Sequence, residues 1–158
     1  MIPQAFITEW KNKKAPWTFI GQVEQDLILE RLLVELYQNS SIQERLVFRG
    51  GTALNKLFCK KPYRYSEDLD FTQLKAEPTG FLMTQIRKIV DPILGKPKWK
   101  KTESMVTFYY DFITEIHPQT KMRIKIEINT REHENLWGVQ HVPFKVESKW
   151  FSGTVVHK

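Results

Sequence analysis

A pair of adjacent glycines separates two stretches of unlike periodicity, and that junction sets the terms of the fold. Before it, Arg45 to Arg49 (RLVFR) has the length and composition of a short buried strand. After it, Ala53, Leu54, Leu57 and Phe58 recur at helical spacing. Gly50-Gly51-Thr52 lies between, with Thr52 the expected N-cap, so the chain reads as strand, glycine turn and helix. Glycine lets backbone approach a phosphate closely, and a helix that begins just beyond it offers unpaired N–H groups and the positive end of its dipole. A glycine pair alone more often marks only a tight turn.

Two later segments change that balance. Glu67 to Thr72 (EDLDFT) alternates polar and apolar residues, as a half-buried strand does. Asp68 and Asp70, two residues apart, share one face while Leu69 and Phe71 enter the core. Adjacent carboxylates repel unless something cationic lies between them, and a hard divalent cation is the natural occupant. Met122 to Asn129 (MRIKIEIN) alternates as well, with Lys125 and Glu127 on its polar face. If that strand lies beside the aspartate strand, Glu127 completes a three-carboxylate metal site. Each element alone has a bland explanation, such as solvated aspartates or an exposed Lys–Glu strand face. Together they supply metal ligands, backbone donors and a base, which is what phosphoryl transfer requires.

The rest of the chain surrounds these segments. Residues 1–17 read as an extended arm with a basic cluster at Lys11, Lys13 and Lys14. Helical spacing predicts helices over Thr18 to Tyr37 and over Gly80 to Leu94, the second with Phe81, Leu82, Ile86, Ile89, Val90 and Ile93 inward. Lys96 to Lys101 reads as a basic loop around Trp99, Met105 to Ile113 as a strand, and His141 to Val156 as one or two more. The order predicts an α+β fold with a mixed sheet. No apolar run approaches the roughly 20 residues of a membrane span, which argues against a membrane partner. The single cysteine, Cys59, excludes an internal disulfide and makes the cytoplasm the default location. A net charge of +6 favours polyanionic partners. The four histidines show no metal-ligand spacing and read as surface or structural residues.

Phe48 to Phe58 (FRGGTALNKLF), followed by Arg64 to Phe71 (RYSEDLDF), resembles the signature of the AbiEii/AbiGii nucleotidyltransferase toxins. These belong to the DNA polymerase β-like nucleotidyltransferase superfamily, whose pattern is Gly-Gly or Gly-Ser, a spacer, then D-x-[DE]. Lys125 to Asn129 (KIEIN) and the run from Val23 to Leu33 fit the same family. The resemblance implies a nucleotidyltransferase fold, a mixed β-sheet flanked by helices, over residues 18–158. It implies Mg2+ or Mn2+ on Asp68 and Asp70, with Glu127 as a third acid that helps activate the acceptor hydroxyl. It places the nucleotide on Gly50, Gly51 and Thr52, with Lys125 also nucleotide-binding and Arg64 and Ser66 steadying the triphosphate or the aspartate strand. It further implies transfer of a nucleoside monophosphate from an NTP to an RNA (tRNA among the candidates) or to a protein hydroxyl. The setting would be a toxin–antitoxin or phage-defence system, with an antitoxin as partner. Family members continue into a helical region with a lysine and an R-D-x-x-D-like segment. Nothing up to Lys158 matches these, so that region is expected to be missing. Two alternatives stay open: an NTP- or RNA-binding domain without turnover, and a subunit that a partner chain completes.

Overall fold

Helix α2 (Ile20–Gln38) carries apolar residues on nearly every side, and a helix of that kind must be covered all round. In this computed structural model, which describes residues 2–15, 17, 19–59, 66–131 and 141–157, α2 is the axis of the fold. It touches α1 (Gln4–Lys13), α3 (Ser40–Arg45), α5 (Gly80–Leu94) and β5 (Lys121–Asn129), together with the hairpin β6–β7 (Val142–Glu147, Ser152–His157). Glu24, Gln25, Asp26 and Glu30 of this helix are buried too, and they act as ties. Glu24 accepts from the backbone N–H of Glu115, Gln25 donates to the Arg123 carbonyl at 2.6 Å, and Asp26 accepts from Trp10 Nε1 at 2.9 Å.

The segment expected as an extended arm is therefore different in kind. Residues 4–13 form α1, which buries Ile7 and Trp10 against α2. The four-residue spacing of Phe6 and Trp10 is too short a signal to stand out. What fixes the helix is the indole N–H finding Asp26, sixteen residues away. The polar end of α2 likewise leads straight into α3, because the Asn39 side chain accepts from Ile42 N and caps the next helix.

The main sheet runs β1-β2-β5-β4-β3, from Leu46–Arg49, Asp68–Gln73, Lys121–Asn129, Met105–Ile113 and Lys98–Lys101. β2 and β5 are parallel and every other pairing is antiparallel. On one face Leu69, Phe71, Val106, Phe108, Tyr110, Ile124, Ile126 and Ile128 are buried in the core. The alternate residues, Asp68, Asp70, Lys125, Glu127, Thr107 and Tyr109, share the opposite face. The stretch expected as a basic loop is the edge strand β3. All four of its residues are exposed, so it carries no alternation to read; lysines at an edge discourage further strand pairing. In α5, Pro92 sits in the last turn without ending the helix at that point. Phe81, expected inward, is 52% exposed, and the Arg45 guanidinium lies 5.1 Å from its ring centre.

His157 ends the hairpin fully buried, its ring 4.0 Å from that of Tyr37 and 5.3 Å from that of Phe144. Burial holds its pKa down at about 4, and burial pushes Glu24 up to about 7. Both shifts favour the neutral form, but their slopes are opposite. The stabilisation from neutral His157 is lost as pH falls from 6.5 toward 4; that from protonated Glu24 is lost as pH rises from 4.5 toward 7. Each contributes about 2 kcal/mol between pH 5 and 7.5. Urea titrations at the two pH values check this. On going to pH 5, His157→Phe should gain about that much relative to wild type, and Glu24→Gln should lose about as much.

Candidate active site

Strand β1 ends at Arg49 and the chain turns at once into a short helix, Gly50–Ala53, continued by a π-helical turn, Leu54–Phe58. Gly50 has φ +84°, a conformation that side chains disfavour. It also faces Asp70: a Cβ at Gly50 would stand 2.8 Å from Asp70 Oδ2. The close approach that the structure shows at this glycine is to a carboxylate of the chain itself. Gly50→Ala is expected to cost about 1–3 kcal/mol in denaturant titration, because strain and the clash with Asp70 act together.

Thr52 does not cap the helix. Its hydroxyl donates to the Asp68 carbonyl at 2.8 Å, and the residue is 2% exposed. The threonine side chain thus pins the start of the helix to β2 and is engaged there. Gly51 is partly buried in the same first turn.

The expected adjacency of the two acidic strands is present. Asp68 pairs in register with Lys125, and Asp70 with Glu127. On the other side of β2, Arg49 is opposite Asp70. The Asp70 carboxyl is raised to about 6, first by burial, then by its hydrogen bond to Glu127 and the charges of Glu127 and Asp68; Arg49 pulls the other way. Lys125 Nζ lies 2.9 Å from Glu127 Oε1 and 3.7 Å from Asp68 Oδ2. Hydrogen bonding to Glu127 holds this ammonium above its ordinary pKa.

These carboxylate oxygens are the donor type that a hard divalent cation takes. No three acids converge into a formed metal cage among the described residues, and Lys125 stands between Asp68 and Glu127 as their present counter-ion. Ser66 is buried, its hydroxyl without a hydrogen-bond partner among the described residues. Arg64 lies outside the described residues. Arg49 was not among the expected site residues, and only the β1–β2 register reveals it.

No curated protein sequence matches the chain. Among solved structures, it is similar to MenT4, a nucleotidyltransferase toxin from Mycobacterium tuberculosis. The TM-score is 0.54 at 20% identity, over 83% of this chain and 44% of that one. It is also similar to JHP933 from Helicobacter pylori, with TM-score 0.53 at 20% identity, over 84% of this chain and 51% of that one. At such identities the likeness establishes the fold, and the chain spans about half the length of these structures. The family described as nucleotidyl transferase AbiEii toxin, Type IV TA system, matches residues 31–156, four-fifths of the chain, and the chain belongs to that family.

Proposed function

We propose that this chain carries the NTP- and metal-binding part of a nucleotidyltransferase that moves a nucleoside monophosphate onto an RNA hydroxyl, as the toxin of a toxin–antitoxin pair. The observation that carries the reading is the register of β2 on β5, which sets Asp70 beside Glu127 directly under the Gly50 turn. Mg2+ or Mn2+ would be held by Asp68, Asp70 and Glu127, and would neutralise triphosphate charge. The phosphates would lie against the backbone of Gly50 and Gly51. In the reaction the acceptor oxygen bonds to the α-phosphorus as the bond to the pyrophosphate oxygen breaks, and the hydroxyl proton passes to the Glu127 carboxylate. Lys125, which already neutralises Asp68 and Glu127, is suited to exchange these carboxylates for phosphate oxygens once a metal takes its place.

RNA is preferred over a protein acceptor because the free edge of the sheet, β3, is blocked to strand addition by its lysines while offering charge to a polyanion. The test is transfer of label from each α-labelled NTP onto total RNA in the presence of Mg2+ or Mn2+. Labelled RNA supports the full reading. Metal-dependent NTP binding without label, on RNA or on protein, replaces it with a binding domain that lacks turnover.

A further inference from the structure

A cavity of about 500 Å3 opens beside Asp68 and Lys125, on the side of the site away from the glycine turn. It lies between the start of α2 and the strands β4 and β5, and its volume is in the roughly 300–1,000 Å3 range of small-molecule sites. Its walls combine aromatic rings with cations. Phe19, 40% exposed, is on the helix side, and Tyr109, Lys121 and Arg123 are on the sheet side. The Arg123 guanidinium lies 5.1 Å from the Tyr109 ring centre and is fixed there by Asp111, with Nε to Oδ1 at 2.8 Å. The backbone beneath is held by Gln25, whose Nε2 donates to the Arg123 carbonyl while its Oε1 has no hydrogen-bond partner among the described residues.

We infer that this cavity is the acceptor site and takes the terminal nucleotide of a single-stranded RNA end, its base against the Tyr109–Arg123 platform. The inference rests on the nucleotidyltransferase reading and deepens it. In-line displacement requires the attacking and leaving oxygens on opposite sides of the phosphorus. The phosphate turn sits over β1 and β2, so the acceptor has to enter from the β5–β4 flank, where the cavity is. Aromatic and guanidinium planes are what unpaired bases stack on. The register continues the path outward: Lys98 is opposite Tyr109 and Lys100 opposite Thr107. The two edge lysines thus share the face of the carboxylates and lead away from the cavity, as a following phosphate backbone needs. Within the cavity the cations are largely balanced, Arg123 and Lys121 by Asp111 and Lys125 by Asp68, with Glu67 also on the wall, so the charge offered to a following phosphate backbone is that of Lys98 and Lys100 on the edge strand.

Fluorescence anisotropy with a short labelled single-stranded oligoribonucleotide, without NTP, tests the assignment. Tyr109→Leu should weaken RNA binding about 5- to 100-fold, the loss of one stacked base, and Tyr109→Phe should restore it. Lys98→Gln/Lys100→Gln should weaken binding and lower the slope of log K against log salt by about 2. Metal-dependent NTP binding, measured separately, should stay within twofold in all three. RNA binding by Tyr109→Leu equal to wild type would overturn the cavity assignment and leave the enzyme reading intact. Absence of RNA binding by wild type, with NTP binding preserved, would overturn RNA as acceptor and this site with it.

Discussion

Asp70→Asn is expected to lower nucleotidyl transfer by about a thousandfold or more while leaving the fold at least as stable as wild type. The two halves of that result have one cause. Asp70 sits under the Gly50 turn and beside Glu127, and its carboxyl is raised to about 6 by burial and by the neighbouring acids. A raised carboxyl is a group that the folded state would sooner keep neutral. Its favourable contribution is present below 3.8 and is lost as pH rises through about 6, so at pH 8 the native protein carries an ionised group at a cost. Asparagine keeps the size and a donor for Glu127 and removes the charge. At pH 8 the gain should be of order 1 kcal/mol, or roughly 2–4 °C in Tm.

What asparagine removes is the charge that a divalent ion would neutralise. Mg2+ should therefore raise the melting temperature of wild type and leave that of Asp70→Asn nearly unchanged, since a ligand stabilises only the fold that binds it. Calorimetry in EDTA and in millimolar Mg2+, alongside the label-transfer assay, separates the possibilities. A variant that transfers at the wild-type rate ends the assignment of Asp70 as a metal-binding residue. A variant that melts far below wild type in EDTA shows that Asp70 serves the fold instead.

The candidate site is legible where a pattern of period two exposes its carboxylates, and illegible where its parts meet only through register or charge. Asp68, Asp70 and Glu127 stand out because Leu69, Phe71, Ile126 and Ile128 alternate with them, while strand β4 follows from its aromatic and β-branched composition and helix α5 from its three- and four-residue spacing. The pairing of β2 with β5 is harder, because α5 and two strands intervene between those neighbours. Arg49 looks like the end of a buried strand until the antiparallel register places it against Asp70. Trp10 and β3 escaped for complementary reasons: one is buried through a partner far along the chain, and the other is exposed on every residue. Lys56 was silent, since no periodicity assigns a lysine to the interior.

Lys56→Met is the substitution expected to damage the fold most, by about 3–5 kcal/mol. Lys56 lies in the π-helical turn just after the glycine turn, with its side chain 7% exposed. Its ammonium bonds Asp26 Oδ1 and lies 2.9 Å from Glu30 Oε1, both on α2. Burial works to depress this lysine, but the pull of the two carboxylates overrides it and leaves the pKa raised. The ammonium thus stays charged between its two acids, while burial pushes the Glu30 carboxyl up against the pull of Lys56. Removing Lys56 strands two carboxylates with side chains only 3% and 11% exposed. Trp10 Nε1 still donates to Asp26, whereas among the described residues Glu30 keeps only the weaker pull of the Lys14 charge. If uncompensated charge is the cause, Glu30→Gln added to Lys56→Met should recover a sizeable part of the loss, a coupling of about 1–3 kcal/mol. The deficit should also shrink as pH falls toward 5, because carboxylates stranded without a cation take up protons in the folded state first. Urea titrations of the single and double variants at pH 5 and pH 8 decide the matter. A deficit equal at both pH values and untouched by Glu30→Gln would mean that Lys56 holds the π turn to α2 by packing of its methylene chain. A deficit that follows charge means that the helix over the carboxylates is anchored electrostatically from behind, with Gly50 held against Asp70 by an ion pair on the far side of the same helix.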